Sequence, residues 1–209
     1  MKAQTKETQS KYTPQSAIEA LQEGNKRFLN TNQSNRDLLG QVQDTAGGQY
    51  PFAVVLSCID SRVPVELVFD QGIGDIFSAR VAGNIVNEDL LGSIEYGCKV
   101  AGSKAVVVLG HTGCGAVKGA CDDVQLGNIT PLLAKIKPAV AAVTSPVEGS
   151  ERTSANSTFV NDVVYKNVHM TIDEMKNNSA VLSEMEAAGE ITIVGAVYDV
   201  ASGKVDFLS

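Results

Sequence analysis

The chain has 209 residues, of which 44% are hydrophobic and 20% are charged, and this composition excludes a disordered chain and suits one globular domain. Its formal net charge of −7 argues against binding to nucleic acid or to an anionic membrane, since both attract positively charged surfaces. The sequence contains no apolar run of about 18 residues that would predict a membrane span, and residues 1–15 lack the apolar core of a secretory signal. We therefore expect a cytoplasmic protein.

The first quarter of the chain is mostly polar and predicts little regular structure apart from one helix. Residues 1–12 are polar, and we expect them to be frayed. Thr13 and Pro14 predict the N-cap and the first residue of a helix, which carries one apolar stripe. Residues 30–50 are polar and predict a loop or a short helix.

Buried strands alternate with helical patterns along the rest of the chain. Apolar segments predict four strands, at residues 52–56, 76–81, 105–109 and 191–198, and a turn then leads into a short terminal strand at residues 205–208. Helical spacing predicts helices at residues 89–101 and 159–188, and a further helix that begins soon after His111. This order predicts an α/β fold with a single domain over residues 1–209, a mostly parallel central β-sheet flanked by helices, and an N-terminal helical arm.

Four cysteines are too few for a disulfide scaffold in a chain of this length, and the reducing cytosol would not sustain one. They are Cys58, Cys98, Cys114 and Cys121. Metal binding, reactivity and simple burial remain as their possible roles.

Two of the predicted buried strands end in residues with metal-binding or ionisable side chains. The strand at residues 52–56 is followed by Cys58, Asp60 and Arg62, and the strand at residues 105–109 is followed by His111 and Cys114. In open α/β sheets, ligands bind beyond the carboxyl ends of the strands. We therefore expect these five side chains to lie at one site.

Two thiolates and one imidazole form a ligand set that selects Zn²⁺ over Mg²⁺ or Ca²⁺. Three protein ligands leave the fourth position open, as a catalytic zinc requires, whereas a structural zinc prefers four Cys or His ligands. Asp60 could fill the fourth position or accept a hydrogen bond from a zinc-bound water. A bidentate pair with Arg62 would draw the Asp60 carboxylate away from the metal.

Other interpretations of each motif are weaker than the metal centre. A cysteine at a strand end is, taken alone, more often part of the packed core. A glycine-rich loop after a strand could cradle phosphate, but residues 110–115 lack the lysine of a phosphate-binding loop, and residues 72–75 lack its third glycine. The combined pattern therefore favours a catalytic metal.

The motif Cys58-x-Asp60-x-Arg62, followed after about fifty residues by His111-x-x-Cys114, resembles the β-class carbonic anhydrases. The similarity continues through residues 57–86 and 92–97. It extends over residues 13–143 and includes the strand at residues 191–198.

The resemblance implies one Zn²⁺ per chain, bound by Cys58, His111 and Cys114, with Asp60 as the exchangeable fourth ligand or water acceptor paired to Arg62. It implies a lyase that reversibly hydrates carbon dioxide to bicarbonate and a proton through attack by zinc-bound hydroxide. The substrate pocket of the family also includes a glutamine, which corresponds to Gln49 here. Its aromatic walls correspond to Phe77 and Tyr96, and they come partly from the neighbouring subunit of a homodimer or homotetramer.

Two alternatives keep the same site but change its use. A hydrolase of the same fold would act on CS₂ or COS, and a scaffold protein would keep the zinc site closed with Asp60 on the metal. Outside the site, we expect His169 to have a surface or packing role. We expect Cys98 and Cys121 to behave as small buried hydrophobic residues.

Overall fold

The sheet is built around the two apolar segments that precede the chemistry-bearing residues. The computed structural model describes residues 2–208. Its strands are β1 (Ala53–Ser57), β2 (Ile76–Arg80), β3 (Ala105–His111), β4 (Thr192–Tyr198) and β5 (Val205–Phe207). Their order across the sheet is β2-β1-β3-β4-β5; the first four strands run parallel, and β5 pairs antiparallel with β4.

Helices cover both faces of this sheet. They are α1 (Lys6–Gln9), α2 (Pro14–Leu29), α3 (Leu38–Thr45), α4 (Val65–Val68), α5 (Glu88–Glu95), α6 (Gly115–Cys121), α7 (Ile129–Ala134), α8 (Lys137–Ala142), α9 (Ser157–Asn178) and α10 (Ala180–Ala187). A π-helical turn at Tyr96–Val100 continues α5. The predicted mostly parallel α/β fold is confirmed.

Alternate residues of the central strands pack into two separate cores. Val54 and Leu56 of β1 face a core that contains residues of α9, whereas Ala53 and Val55 face a core that contains residues of α2. Every residue of β1 and β3 is buried, as expected for parallel strands covered on both faces. Both strands are therefore held rigidly up to their carboxyl ends.

Helix α9 lies unusually close to the sheet because two small residues face it. A Cβ added at Gly110 of β3 or at Gly195 of β4 would come within 2.7 Å of a methyl group of Val168. The helix therefore packs directly against the strand that ends in His111.

The N-terminal segment differs from the expectation of a frayed end at residues 1–12. Met1 lies outside the described residues, but α1 forms within this segment, and the Gln9 amide donates to the carbonyls of Pro51 and Ala101 at 2.8 and 2.7 Å. Tyr12 stacks on Phe52 with ring centroids 4.5 Å apart. These contacts attach the arm beside the start of β1.

The prediction of one helix over residues 159–188 was wrong in one respect. The helical segment is divided at Ser179, whose extended backbone ends α9 and whose hydroxyl accepts a hydrogen bond from the Leu182 N–H at the start of α10. Apolar spacing continues across this break, so periodicity alone cannot locate it. Within residues 2–208, no helix has the length and hydropathy needed to cross a bilayer.

Candidate metal centre

The three predicted metal ligands come together at the carboxyl ends of two adjacent strands. Cys58 follows β1 directly, His111 is the last residue of β3, and Cys114 is the N-cap of α6. Because Ser57 pairs with Leu109 in the parallel register, the two strands end side by side. The two sulfur atoms and a ring nitrogen of His111 lie within 4.8 Å of one another, and all three residues are buried.

One nitrogen of the His111 ring is hydrogen-bonded, and the other has no hydrogen-bond partner among residues 2–208. Its Nδ1 lies 3.1 Å from the Thr112 carbonyl oxygen, so this nitrogen carries the proton and donates. Its Nε2 is buried without a hydrogen-bond partner among residues 2–208. An orphaned buried nitrogen is costly, and metal coordination would satisfy it, as in many sites where the other ring nitrogen binds a carbonyl.

A tight turn after His111 presents Cys114 to the same point. Gly113 has a φ of 65°, a left-handed conformation that glycine adopts without strain. The Thr112 N–H donates to the Tyr198 carbonyl at 2.9 Å, and the Val200 N–H donates to the Thr112 hydroxyl at 3.1 Å. The turn is thereby fastened to the end of β4.

The Cys58 and Cys114 thiols are hydrogen-bonded to each other. A hydrogen bond from the Cys114 thiol lowers the pKa of Cys58. The pKa of Cys114 is raised by its hydrogen bond to Cys58 and by burial. The lowered pKa favours the thiolate form of Cys58, which is the form that binds metal.

Asp60 and Arg62 form the predicted pair beside the ligands. The Arg62 guanidinium donates from Nε to Asp60 Oδ1 at 2.9 Å and from Nη2 to Oδ2 at 2.7 Å. These hydrogen bonds hold the pKa of the Asp60 carboxyl well below its usual range. Asp60 Oδ2 lies 3.8 Å from His111 Nε2, which is too long for a hydrogen bond but places the carboxylate beside the ligand set.

Strand alternation is not what directs Asp60 towards the site. Strand β1 ends at Ser57, and residue 60 begins a turn in which the Val63 N–H donates to the Asp60 carbonyl at 3.0 Å. This turn, and not a continuation of β1, therefore places the Asp60 carboxylate beside the ligand set.

Two residues with no motif in the sequence hold backbone segments next to the ligands. Arg80 donates from Nε to the Cys58 carbonyl at 2.8 Å and from Nη2 to the Asp60 carbonyl at 2.6 Å. Asn167 of α9 donates to the Gly83 carbonyl at 2.8 Å. The only sequence signal for either was an unexplained polar residue in an otherwise apolar or strand-forming pattern.

The three predicted substrate-pocket residues do not reach the metal ligands of their own chain. Phe77 pairs with Val54, four residues before Cys58 and thus about 13 Å away along the sheet. Tyr96 packs edge-on against Phe77 with centroids 6.2 Å apart. Gln49 is exposed and lines a separate cleft with Ile73, beyond the amino end of β1.

The remaining cysteines and histidine lie outside the site. Cys98 is buried, Cys121 is half-buried, and His169 is exposed on α9. Among residues 2–208, the set of Cys58, His111 and Cys114 is the one group of three or more metal-ligating side chains within bonding reach of a common point.

Removal of the metal with a chelator should make Cys58 the most reactive cysteine of the protein. Burial raises the pKa of Cys98 to about 12 and that of Cys121 to about 11, so at pH 7 only about one Cys121 in 10⁴ is a thiolate. We expect iodoacetamide to modify Cys58 before Cys98 and Cys121 in metal-free protein. Peptide mass mapping measures the order of modification. We expect this order to persist at lower pH, down towards the lowered pKa of Cys58. Earlier modification of the more accessible Cys121 would contradict this assignment.

Zinc fits this donor set better than Mg²⁺ or Ca²⁺ does. Two sulfurs and an imidazole suit Zn²⁺, and Mg²⁺ and Ca²⁺ prefer oxygen ligands. The three donors are complemented by an ionised carboxylate that is already engaged by Arg62. The residues present therefore fit a zinc ion with three protein ligands.

Comparison with known proteins gives a consistent assignment. A family model described as carbonic anhydrase matches residues 53–205. Carbonic anhydrase 2 of Mycobacterium tuberculosis is 35% identical over 192 residues, which cover 91% of each chain. The carbonic anhydrase of Mycolicibacterium smegmatis is 34% identical over 201 residues, which cover 94% of each chain.

Solved structures agree with the sequence relatives. The β-carbonic anhydrase CafA of Aspergillus fumigatus superposes with a TM-score of 0.71 at 27% identity and covers 80% of each chain. A tetrameric β-carbonic anhydrase of Sordaria macrospora superposes with a TM-score of 0.69 at 25% identity, over 80% of this chain and 85% of that one. With the family match, the sequence relatives and the Cys-His-Cys centre taken together, the chain belongs to the β-class carbonic anhydrases.

Proposed function

We propose that the protein is a zinc-dependent enzyme that reversibly hydrates carbon dioxide to bicarbonate and a proton. The observation that carries the proposal is the buried Cys58-His111-Cys114 set with its unpartnered His111 nitrogen beside an ionised Asp60. Zinc at this site would supply Lewis-acid chemistry that lowers the pKa of water from 15.7 to about 7.

Asp60 and Arg62 would control the position that the three protein ligands leave free on a bound zinc ion. The Asp60 carboxylate is held by Nε and Nη2 of the Arg62 guanidinium and by the Arg62 backbone N–H at 2.9 Å. Held in this way, it remains charged and can accept a hydrogen bond from the attacking water, which orients that water towards CO₂. The same contacts argue against a closed scaffold, because a carboxylate bound to Arg62 has a partner other than the metal.

A second substrate class receives little support. The carbon disulfide hydrolase of Acidithiobacillus thiooxidans is 34% identical over 77 residues, which cover 34% of this chain. We therefore place CO₂ before CS₂ and COS.

The proposal is tested by stopped-flow CO₂ hydration on zinc-quantified protein between about pH 6 and pH 9, the range that brackets the pKa of water on zinc. We expect a rate that scales with zinc content and rises with pH. Because its lowered pKa keeps Asp60 charged throughout this range, the rise does not report the titration of Asp60. One zinc per chain with no rate at any pH would overturn the proposal.

We also propose that the chain works as a homodimer or homotetramer. Tyr96 and Val100 are 51% and 71% exposed, and they lie on adjacent turns of one helical segment. Gln49, Phe77 and Tyr96 lie away from the metal ligands of their own chain. The corresponding residues of a second copy would therefore have to complete the substrate pocket beside these ligands. A cytoplasmic location accords with this proposal, since ligand thiols stay reduced there.

Replacing Tyr96 with aspartate should weaken the assembly and lower the CO₂ hydration rate of the remaining metal-loaded protein. A charge in a buried interface costs at least the burial energy of the ring, so we expect the dissociation constant to rise by about tenfold or more. Sedimentation velocity measures the change. The matched control is Tyr165→Asp, at an exposed tyrosine of α9; equal behaviour of the two variants would count against this interface.

A further inference from the structure

A backbone N–H is directed at one of the metal-ligand sulfurs. The Gly83 N–H donates to Cys58 Sγ at 3.4 Å. Gly83 lies in the short 3₁₀ turn Ala82–Asn84 with a φ of 72°, a left-handed conformation typical of glycine. A Cβ at this position would come within 2.5 Å of the Ile136 side chain. The turn is therefore both conformationally special and tightly enclosed.

A side chain from a distant helix holds this turn. The Asn167 amide donates from Nδ2 to the Gly83 carbonyl at 2.8 Å, and Asn167 is only 3% exposed. Val163, Val164 and Val168 on the buried face of α9 are apolar, whereas Thr171, one turn after Asn167, is a second buried polar residue. A buried amide costs free energy unless it is hydrogen-bonded, so packing alone does not account for asparagine at position 167.

The helix that carries Asn167 is fixed relative to the metal ligands. Val168, the next residue, packs within 2.7 Å of the Cβ position of Gly110, and Gly110 directly precedes the ligand His111. Asn167 therefore reaches the Gly83 turn from an element that is already anchored beside the other ligand strand.

We propose that Asn167 is a positioning residue of the metal centre, which holds the Gly83 turn so that the Gly83 N–H remains hydrogen-bonded to Cys58 Sγ. This inference rests on the proposed function, because it requires Cys58 to be a metal ligand. An N–H···S bond withdraws electron density from a thiolate, so it tunes the charge that the sulfur donates to the metal. Outer contacts of this kind orient ligands and adjust metal sites in general.

The test replaces Asn167 with leucine, which has a similar volume and no donor. The control is Thr171→Val, which removes a buried hydroxyl on the same helix face one turn later. Zinc affinity is measured by competition with a chromophoric chelator, and each variant is also loaded with Co²⁺ to record its thiolate-to-cobalt charge-transfer absorption.

We expect Asn167→Leu to lower zinc affinity by about 10-fold to 100-fold and to move the charge-transfer band to longer wavelength, since the sulfur loses a donor. We expect Thr171→Val to leave both unchanged, although both variants lose thermal stability. A band at the wild-type wavelength in folded Asn167→Leu would overturn the inference, because a merely structural asparagine would affect stability alone.

Two further arms keep the result interpretable. If the leucine variant does not fold, Asn167→Ala carries the same test with a cavity in place of the amide. Cobalt-loaded wild-type protein without a thiolate charge-transfer band would refute the metal centre itself and the proposed function with it. A normal wild-type band with an unshifted Asn167→Ala band would refute only the role of Asn167.

Discussion

Replacing His111 with alanine is expected to abolish stable zinc binding and to lower the rate of CO₂ hydration by roughly 10³-fold or more. The His111 Nε2 is the one metal-ligating atom of the set that is buried without any hydrogen-bond partner within residues 2–208. Its removal leaves two thiols, too few ligands for zinc at a catalytic site. Metal analysis after dialysis and stopped-flow CO₂ hydration measure the two losses.

The chain offers a matched control for this substitution in His169. His169→Ala makes the same chemical change at an exposed position of α9, and we expect zinc content and rate to remain at wild-type values. Full activity in His111→Ala, with zinc retained, would refute the proposed ligand set.

Replacing Asp60 with asparagine is expected to lower the hydration rate by about 100-fold or more while zinc content stays near one per chain. Asparagine keeps the size of the side chain but loses the negative charge to which Arg62 Nε and Nη2 donate. Its NH₂ group would also face one of these donors, so the side chain can no longer be held in place as an acceptor for the attacking water.

The control for Asp60 is Asp123→Asn, which removes an equal charge from a carboxylate that is ion-paired with Lys137 on the surface. We expect no change in rate from Asp123→Asn. An unchanged rate in Asp60→Asn would remove Asp60 from the mechanism, and a parallel loss of zinc would make it a metal ligand rather than a water acceptor.

The central sheet and the clustering of Cys58, His111 and Cys114 were predictable because their signals are local. Continuous apolar runs mark β1 and β3, and each run leads within a few residues into Cys58 or His111. The parallel register then brings the two ends together without further information. Asp60 and Arg62 are two residues apart, so their pairing could also be deduced from the sequence.

Arg80, Asn167 and Gln9 could not be predicted in the same way. Each acts on backbone carbonyls far away in the sequence: Arg80 on those of Cys58 and Asp60, Asn167 on that of Gly83, and Gln9 on those of Pro51 and Ala101. A carbonyl acceptor exists at every residue, so nothing in the local pattern identifies which one is used. The helix break at Ser179 was not predicted for a related reason, since the apolar spacing continues through it.

The pairing of β1 with β3 also bears on when the metal site can form. About fifty residues, including all of β2, separate Cys58 from His111, and the register joins Ser57 to Leu109 directly. Closing so long a loop is slow, and before it closes the three donors share no common point. We therefore expect the sheet to fold before the three-ligand site is complete, unlike the small zinc fingers whose folding depends on the ion. Protein from which a chelator has removed the metal should therefore still unfold cooperatively on heating.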